Sequence, residues 1–365
     1  MIGSVLAVGF ALAGLLIFER DLPAEVVDAQ YANAQSQFLR TDANDRIHFR
    51  DQGPSDAVPI ILIHGANGSL HNYEEWARTL SKRYRVISLD LPGHGLTGET
   101  ATDRYDMDTD LGTIRAVADH LALDRFVLAG HSMGGGVAMA FAQNSPDELL
   151  GLVLVSSVIP WRPRSGDPKP IGDAPPPDGN RNTEVNEQER PKHRNSSTLS
   201  LFRLPGVRLI GRHIDPALLA ERSARSAYGN EEMVTSALVQ RYIDLSLREG
   251  SRGALFKRMA SRANRLTSPP NFAGPVLIQW GSDDTWTPPS LIQPLIETFP
   301  YATVVTYDEV GHLPMEEIPL LSAKDLLSFL DSISLEMNKK AKDDTIGPGS
   351  GGCDTIIAGQ RLLQE

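Results

Sequence analysis

Short apolar runs, each bounded by turn residues and followed by a helical stretch, constrain the fold of this chain more than any other feature. Runs of this length without alternating polar residues are typical of strands that are buried on both faces. Their alternation with helices predicts an α/β fold with a mostly parallel central sheet and helices on both faces. The five clearest runs are residues 58–64, 85–90, 125–130, 152–156 and 276–280.

Residues 161–268 interrupt this alternation and are predicted to form a helical cap inserted after the sixth strand. The stretch 163–198 combines prolines and mixed charges with few apolar residues, which predicts a disordered loop. Helical signals follow it. Asp215, which precedes a proline, is a candidate N-cap, and Asn230 is predicted to open a second helix.

Two parts of one core domain flank the predicted cap, and a tail follows them. Residues 38–160 form the first part and residues 269–337 the second. The second part is predicted to end with a strand at 302–308 and a helix over 317–335. Residues 338–365 are predicted to be a flexible tail, because they begin with charged residues and contain a Gly-Pro-Gly-Ser-Gly-Gly run.

The N-terminal run from Met1 to Phe18 carries no charged side chain. As a helix it would be about 27 Å long, enough to cross the hydrocarbon core of a bilayer. A cleaved signal peptide would show a basic residue before the apolar run and a small-x-small site just after it, and neither is present. The run therefore favours a single-pass membrane anchor. The sequence does not determine on which side of the membrane the rest of the chain lies. A signal peptide of an exported protein and a soluble N-terminal helix remain the alternatives.

Composition excludes several classes of partner and cofactor. The net charge is −11, from 35 Lys and Arg against 46 Asp and Glu, which argues against a nucleic-acid surface. The single cysteine, Cys353, leaves no intrachain disulfide. The chain has no H-E-x-x-H, no Walker motif and no G-x-G-x-x-G after a strand. We therefore expect no metal and no cofactor.

A candidate nucleophile lies in the segment Gly130–Gly134, which reads Gly-His-Ser-Met-Gly. It follows a predicted strand and precedes a predicted helix over 135–143, and this context gives the G-x-S-x-G pattern its meaning. The glycines suit a sharp turn in which flanking Cβ atoms would be crowded. The pattern predicts that Ser132 is a nucleophile at the tip of the strand. A glycine-rich turn with an incidental serine is the alternative.

A serine hydroxyl needs a base to take its proton and an acid to orient that base. His312 follows the last predicted strand and is the candidate base, although a lone histidine is commonly just a surface-loop residue. Asp283 and Asp284 follow the strand at 276–280 and compete for the acid role. All these residues follow strands, so we expect them at the same edge of the sheet as Ser132.

These motifs resemble those of the α/β-hydrolase fold family, in its serine-nucleophile branch with a helical cap, which includes esterases and carbon–carbon bond hydrolases. The order Ser, Asp, His along the chain is the family's order. Its acid loop commonly reads G-x-x-D-x-x-x-P, and this register between Gly281 and Pro288 implies Asp284 as the acid. The resemblance covers about residues 38–335.

The resemblance also implies an oxyanion hole, made by the backbone N–H groups of Met133 and Ala66. Ala66 falls in a His-Gly-Ala sequence that resembles the family's H-G-x motif. His64 in that sequence is expected to brace the loop rather than to act in chemistry. A third family signature, D-x-x-G-x-G-x-S/T, begins at Asp90, and we expect Asp90 and His94 to be structural residues.

The resemblance implies a serine hydrolase that cleaves a small, uncharged, hydrophobic acyl substrate, and a carboxylic ester is favoured. Family members that open epoxides or displace halides use aspartate as nucleophile, so Ser132 indicates acyl transfer. Two alternatives stay open. One is a carbon–carbon bond hydrolase of ring-cleavage diketones, and the other is a non-catalytic, ligand-binding relative.

Access to the predicted site is expected to involve the cap. The apolar segment 199–210 follows the predicted disordered loop, so we expect a mobile lid that lines the pocket mouth or touches the bilayer. Trp161 and Trp286 are candidate pocket walls. The alternative is that 199–210 is the buried face of a cap helix.

Overall fold

A computed structural model describes residues 20–161, 217–260 and 266–345, and all statements about structure refer to these ranges. Several sequence-based expectations fall outside them: the apolar run at 1–18, the loop at 163–198, the segment 199–210 and the tail beyond Thr345. No helix within the described ranges is both long enough and apolar enough to cross a membrane.

Eight strands form one sheet. In chain order they are β1 (Ser36–Arg40), β2 (Arg46–Gln52), β3 (Pro59–Ile63), β4 (Arg85–Leu89), β5 (Phe126–His131), β6 (Leu149–Val155), β7 (Val276–Gly281) and β8 (Thr303–Tyr307). Their spatial order is β1-β2-β4-β3-β5-β6-β7-β8. The pairs from β4 to β8 are parallel, whereas β1 with β2 and β2 with β4 are antiparallel. The predicted α/β fold with a mostly parallel sheet is confirmed.

Helices connect the strands and cover the sheet. The helices are α1 (Ala24–Tyr31), α2 (Glu74–Leu80), α3 (Met107–His120), α4 (Met133–Asn144), α5 (Ala217–Ala227), α6 (Ser236–Leu247), α7 (Ser251–Ala260), α8 (Ile292–Thr298), α9 (Pro314–Glu317) and α10 (Pro319–Thr345). Helices α5 to α7 lie between β6 and β7 in the chain, where the cap was predicted.

The hydrophobic core lies on both faces of the sheet. On one face α3 and α4 pack against the strands, with Phe126, Phe141 and Trp280 among their buried residues. On the other face α2 and α10 pack together, and the Trp76 indole N–H donates a hydrogen bond of 2.9 Å to Ser322 Oγ. Strands β5 and β6 are buried at every residue, as continuous apolar runs predict.

Two helix boundaries differ from the predicted ones. The helix expected to open at Asn230 begins at Ser236, because Asn230 instead caps a short 3₁₀ turn and Thr235 caps the helix by accepting a hydrogen bond from the Leu238 N–H. Helix α10 continues to Thr345, past the predicted end at Leu335 and into the expected tail. Residues 336–345 are rich in lysine and other residues that favour helix.

Candidate active site

Ser132 lies in a sharp turn between β5 and α4. Its backbone φ is +52° and its ψ is −117°, a conformation that is strained for a residue with a side chain. Four backbone hydrogen bonds hold it: its N–H donates to Val155 O, and its carbonyl accepts from the N–H groups of Gly135, Gly136 and Val158. The turn therefore keeps Ser132 at the carboxyl edge of the sheet despite the strain.

His312 and Asp284 meet at the same edge of the sheet. The Nδ1 of His312 lies 2.8 Å from Asp284 Oδ2, where it donates its proton to the carboxylate. The other carboxylate oxygen accepts from the backbone N–H groups of Trp286 and Thr287, each at 2.9 Å. Burial raises the pKa of Asp284, but the hydrogen bonds from His312 and Thr287 outweigh burial and hold that pKa below its ordinary value. Asp284 is thus a buried carboxylate that orients the imidazole.

Asp283 occupies a different environment from Asp284. Its side chain is exposed and accepts a hydrogen bond of 2.8 Å from Ser282 Oγ. Of the two competing acids, the structure brings Asp284 to His312 and leaves Asp283 in solvent.

His131 connects the serine turn to the histidine loop. Its Nε2 donates a hydrogen bond of 2.9 Å to the His312 carbonyl, and the two imidazole rings lie 4.6 Å apart between centroids. Burial, followed by the charge that His312 can carry, holds the pKa of His131 well below its ordinary value. A neutral His131, the residue before Ser132, therefore ties the backbone of His312 to the turn that carries Ser132.

The predicted oxyanion donors, Ala66 and Met133, belong to two segments that meet at Ser132. A Cβ atom placed on Gly65 would lie 3.0 Å from Ser132 Cβ, so the loop carrying Ala66 runs against the serine. Ala66 is exposed within a turn closed by the Gly68 N–H and the Gly65 carbonyl. Met133 is the first residue of α4, so its N–H belongs to the helix N-terminal groups that have no intrahelical acceptor.

His64 braces this loop through both ring nitrogens. Its Nδ1 donates to the Gly65 carbonyl at 2.7 Å, and its Nε2 accepts from the Leu91 N–H at 3.0 Å. Burial lowers the pKa of His64, which favours the neutral ring that these two bonds require.

Asp90 organises the turn after β4. Its buried carboxylate accepts hydrogen bonds from the His48 ring and from the N–H groups of Leu70 and Leu96. Burial raises the pKa of Asp90, but its hydrogen bond with His48 and the nearby histidines lower that pKa below its ordinary value. These contacts agree with the expected structural role of Asp90, and the His94 ring contacts the Pro92 carbonyl of the same turn.

The two candidate pocket tryptophans occupy different surroundings. Trp286 is 47% exposed and stacks on the His312 ring, with centroids 5.6 Å apart and planes inclined by 25°. Trp161 is 6% exposed and packs within the hydrophobic core. The structure therefore brings Trp286, and not Trp161, into contact with the candidate base.

Two cavities, of about 290 and 410 Å³, lie beside the β1–β2 hairpin and its neighbouring loops, and their linings include none of Ser132, Asp284 and His312. In the described part of the chain, no three His, Cys, Asp or Glu side chains are arranged to hold a metal ion.

Thr287 and residues 226–230 of the cap are site residues that sequence reasoning missed. Thr287 Oγ1 donates to Asp284 Oδ2 at 2.7 Å and lies 3.1 Å from His312 Nδ1. In the sequence, only its position three residues after Asp284 could have indicated a place in the site. A threonine before a proline has no characteristic role, so this position predicted nothing. Residues 226–230 carry no motif, and their contacts arise only from the tertiary fold.

The α/β hydrolase fold family matches this chain over residues 58–319, which is more than half of its length. The chain is a hydrolase of the α/β-hydrolase fold family.

Relatives cover most of this α/β-hydrolase at low identity. A dihydrolipoyllysine-residue acetyltransferase component of an acetoin cleaving system from Pseudomonas putida is 26% identical over 89% of this chain and 81% of its own. Lipase 3 from Moraxella sp. (strain TA144) is 24% identical over 83% of this chain and 88% of its own. The crystal structure of a membrane phospholipase A, described as a bacterial virulence factor, superposes with a TM-score of 0.63. It is 24% identical and covers 91% of this chain and 98% of its own.

Proposed function

We propose that this α/β-hydrolase is a serine esterase that cleaves small, uncharged carboxylic esters through an acyl-enzyme on Ser132. The observation that carries the proposal is the buried Asp284–His312 pair, with Nδ1 and Oδ2 2.8 Å apart, joined through His131 to the strained turn that holds Ser132. An incidental serine in a glycine-rich turn would need neither the strain nor an adjacent oriented imidazole.

Each residue has one role in the proposed reaction. Ser132 Oγ attacks the ester carbonyl carbon while His312 Nε2 takes the hydroxyl proton, and Asp284 stabilises the resulting imidazolium. The N–H groups of Ala66 and Met133 donate to the oxyanion. The C–O bond then breaks, and His312 gives its proton to the departing alcohol.

Water completes the cycle by the reverse proton path. His312 takes a proton from water while the water oxygen attacks the acyl carbon. The second tetrahedral intermediate then breaks its bond to Ser132 Oγ. The proton returns to the serine oxygen, and the acid product leaves. No cofactor takes part in these steps.

Two observations support an uncharged ester. No arginine or lysine belongs to the described contacts of Ser132, Asp284 or His312, and the exposed Trp286 ring offers an apolar face beside His312. Lipase 3, whose name denotes ester hydrolysis, aligns with most of this chain.

A substrate panel tests the proposal. We expect p-nitrophenyl acetate and butyrate to be hydrolysed, and Ser132→Ala to lower kcat by at least about 10³-fold. Turnover of a vinylogous diketo acid without ester hydrolysis would favour the carbon–carbon bond hydrolase instead. Tight ligand binding with no turnover of any substrate would favour the non-catalytic relative.

A further inference from the structure

The described part of the cap is hydrogen-bonded to the loops that carry the candidate acid and base. We call residues Ser226–Asn230, which span the last two residues of helix α5 and the turn after it, the cap clip. The Ser226 carbonyl accepts from Thr285 Oγ1 at 2.9 Å, and Ser226 Oγ accepts from the Trp286 indole N–H at 3.1 Å. Thr285 and Trp286 directly follow Asp284, so the cap clip is bound to the acid loop.

The cap clip is also bound to the base itself. The backbone N–H of His312 donates to the Ala227 carbonyl at 2.6 Å. Next to this bond, Gly311 and Gly229 face each other so closely that a Cβ atom on Gly311 would lie 2.5 Å from the Gly229 nitrogen. The backbone of the histidine loop therefore packs directly on the backbone of the cap.

The Glu317 carboxylate bridges the backbone of the histidine loop and the backbone of the cap clip. One oxygen accepts from the Gly311 N–H at 2.9 Å, and the other accepts from the Gly229 N–H at 2.8 Å. The side chain is 8% exposed, so these backbone donors have little access to water as an alternative partner. Burial raises the pKa of Glu317, and the backbone N–H groups oppose that shift.

We propose that Glu317 is a positioning residue for the catalytic base: it ties the His312 loop to the cap clip, which makes this part of the cap a fixed component of the active centre. The proposal rests on the proposed function, in which His312 is the base. A carboxylate suits this position because each of its two oxygens serves one side of the junction. A glutamine has only one acceptor oxygen, and its NH₂ group would face a backbone N–H.

The neighbouring Glu316 provides a matched comparison. Its carboxylate binds cap side chains, accepting from Tyr228 OH at 2.7 Å, from Tyr242 OH at 2.9 Å and from Arg241. These bonds join cap and core by side chains, whereas those of Glu317 hold the backbone next to His312. Replacing Glu316 therefore weakens the cap–core contact without releasing the histidine loop.

The experiment compares Glu317→Gln with Glu316→Gln in the full chain. For p-nitrophenyl acetate, we expect Glu317→Gln to lower kcat about tenfold to a hundredfold with KM within about threefold, because displacing a base by about 1 Å has effects of this size. Glu316→Gln is expected to keep kcat within about threefold. Hydrogen exchange measured by mass spectrometry should become faster in peptides covering 309–313 in Glu317→Gln and not in Glu316→Gln, which loses only its side-chain bonds to the cap.

The proposal is wrong if folded Glu317→Gln keeps wild-type kcat and wild-type exchange, or if Glu316→Gln lowers kcat equally. If Glu317→Gln does not fold, exchange in the wild-type protein decides: peptides covering 226–230 and 309–313 should be protected to a similar degree, and much faster exchange at 226–230 would overturn the proposal. These exchange measurements do not depend on turnover. Failure of the esterase proposal would be seen separately, as turnover that survives in Ser132→Ala.

Discussion

Asp283 and Asp284 are neighbours in the chain, but their carboxylates lie in different environments in the fold. Asp284 is 3% exposed and accepts hydrogen bonds from His312, Thr287 and the Trp286 N–H. Asp283 is exposed, and its carboxylate accepts a hydrogen bond from the neighbouring Ser282 hydroxyl. The register between Gly281 and Pro288 selected the same residue, so a local motif was enough to predict which aspartate contacts His312.

Exchange of each acid for its amide tests this assignment. We expect Asp284→Asn to lower kcat by about 10⁴-fold, because an amide favours the wrong imidazole tautomer and does not stabilise the imidazolium. Asp283→Asn should stay within about threefold of wild type. Steady-state kinetics on one p-nitrophenyl ester measure both variants, and the opposite ranking would show that Asp283 is the acid.

Strands and helices of the core were predictable wherever a segment had one clear pattern of apolar residues. The five apolar runs became the central strands, because a strand buried on both faces leaves a continuous hydrophobic pattern. Strands β1 and β2 were not predicted, since they are mixed in polarity and β1 lies at the sheet edge, with a largely exposed pattern. The cap clip and Glu317 escaped prediction because their contacts join segments distant in sequence.

Helix α7 of the cap is joined to the core by two ion pairs of contrasting burial. Arg258 forms a bidentate pair with Asp110 of α3, and both side chains are almost fully buried. Lys257 pairs with Asp103, and both of these side chains are largely exposed. The buried pair is expected to contribute more to stability, because its loss leaves a desolvated charge.

Removing the acid of each ion pair should show how much each pair contributes to stability. We expect Asp110→Asn to lower the free energy of unfolding by about 3 kcal/mol, since it leaves the Arg258 guanidinium buried without a counter-charge. Asp103→Asn should change it by less than about 0.5 kcal/mol. Urea denaturation of both variants measures the difference. Equal effects would mean that the α7 contact is not buried in solution.

At the scale of the whole molecule, the segment after residue 19 connects the cap to the sheet. Leu22 exchanges backbone hydrogen bonds with Leu247 and Glu249 of the cap. Asp28 of α1 accepts from Arg248 of the cap and from Arg46 of β2, and Val27 is fully buried. Residues 20–31 are therefore part of the folded domain, and not a linker.

Two truncations test this connection. Deletion of residues 1–19 should leave Tm and ester hydrolysis unchanged, because it removes the predicted anchor and keeps the contacts of Asp21 and Leu22 with the cap. Deletion of residues 1–31 should lower Tm by at least about 5 °C, since it removes the buried Val27 and both ion pairs of Asp28. Thermal unfolding followed by circular dichroism measures both. A similar Tm in the two variants would show that α1 adds nothing to stability.

The shorter deletion also tests the membrane anchor predicted from residues 1–18. We expect the full-length chain to remain in membranes after a carbonate wash, because about 18 apolar residues bury far more hydrocarbon than one acyl chain does. The chain lacking residues 1–19 should be recovered in the supernatant. Recovery in the supernatant of a chain that has been shortened at its N-terminus would favour a cleaved signal peptide.

Covalent trapping of the nucleophile tests the central claim most directly. A fluorophosphonate reacts with a serine only when an oriented base removes its proton and an oxyanion site is present. Peptide mapping of the labelled full-length chain should place the adduct on Ser132, labelling should be absent in Ser132→Ala, and it should be strongly slowed in Asp284→Asn. An adduct on another residue, or ester hydrolysis that persists while Ser132 stays unmodified, would contradict the account.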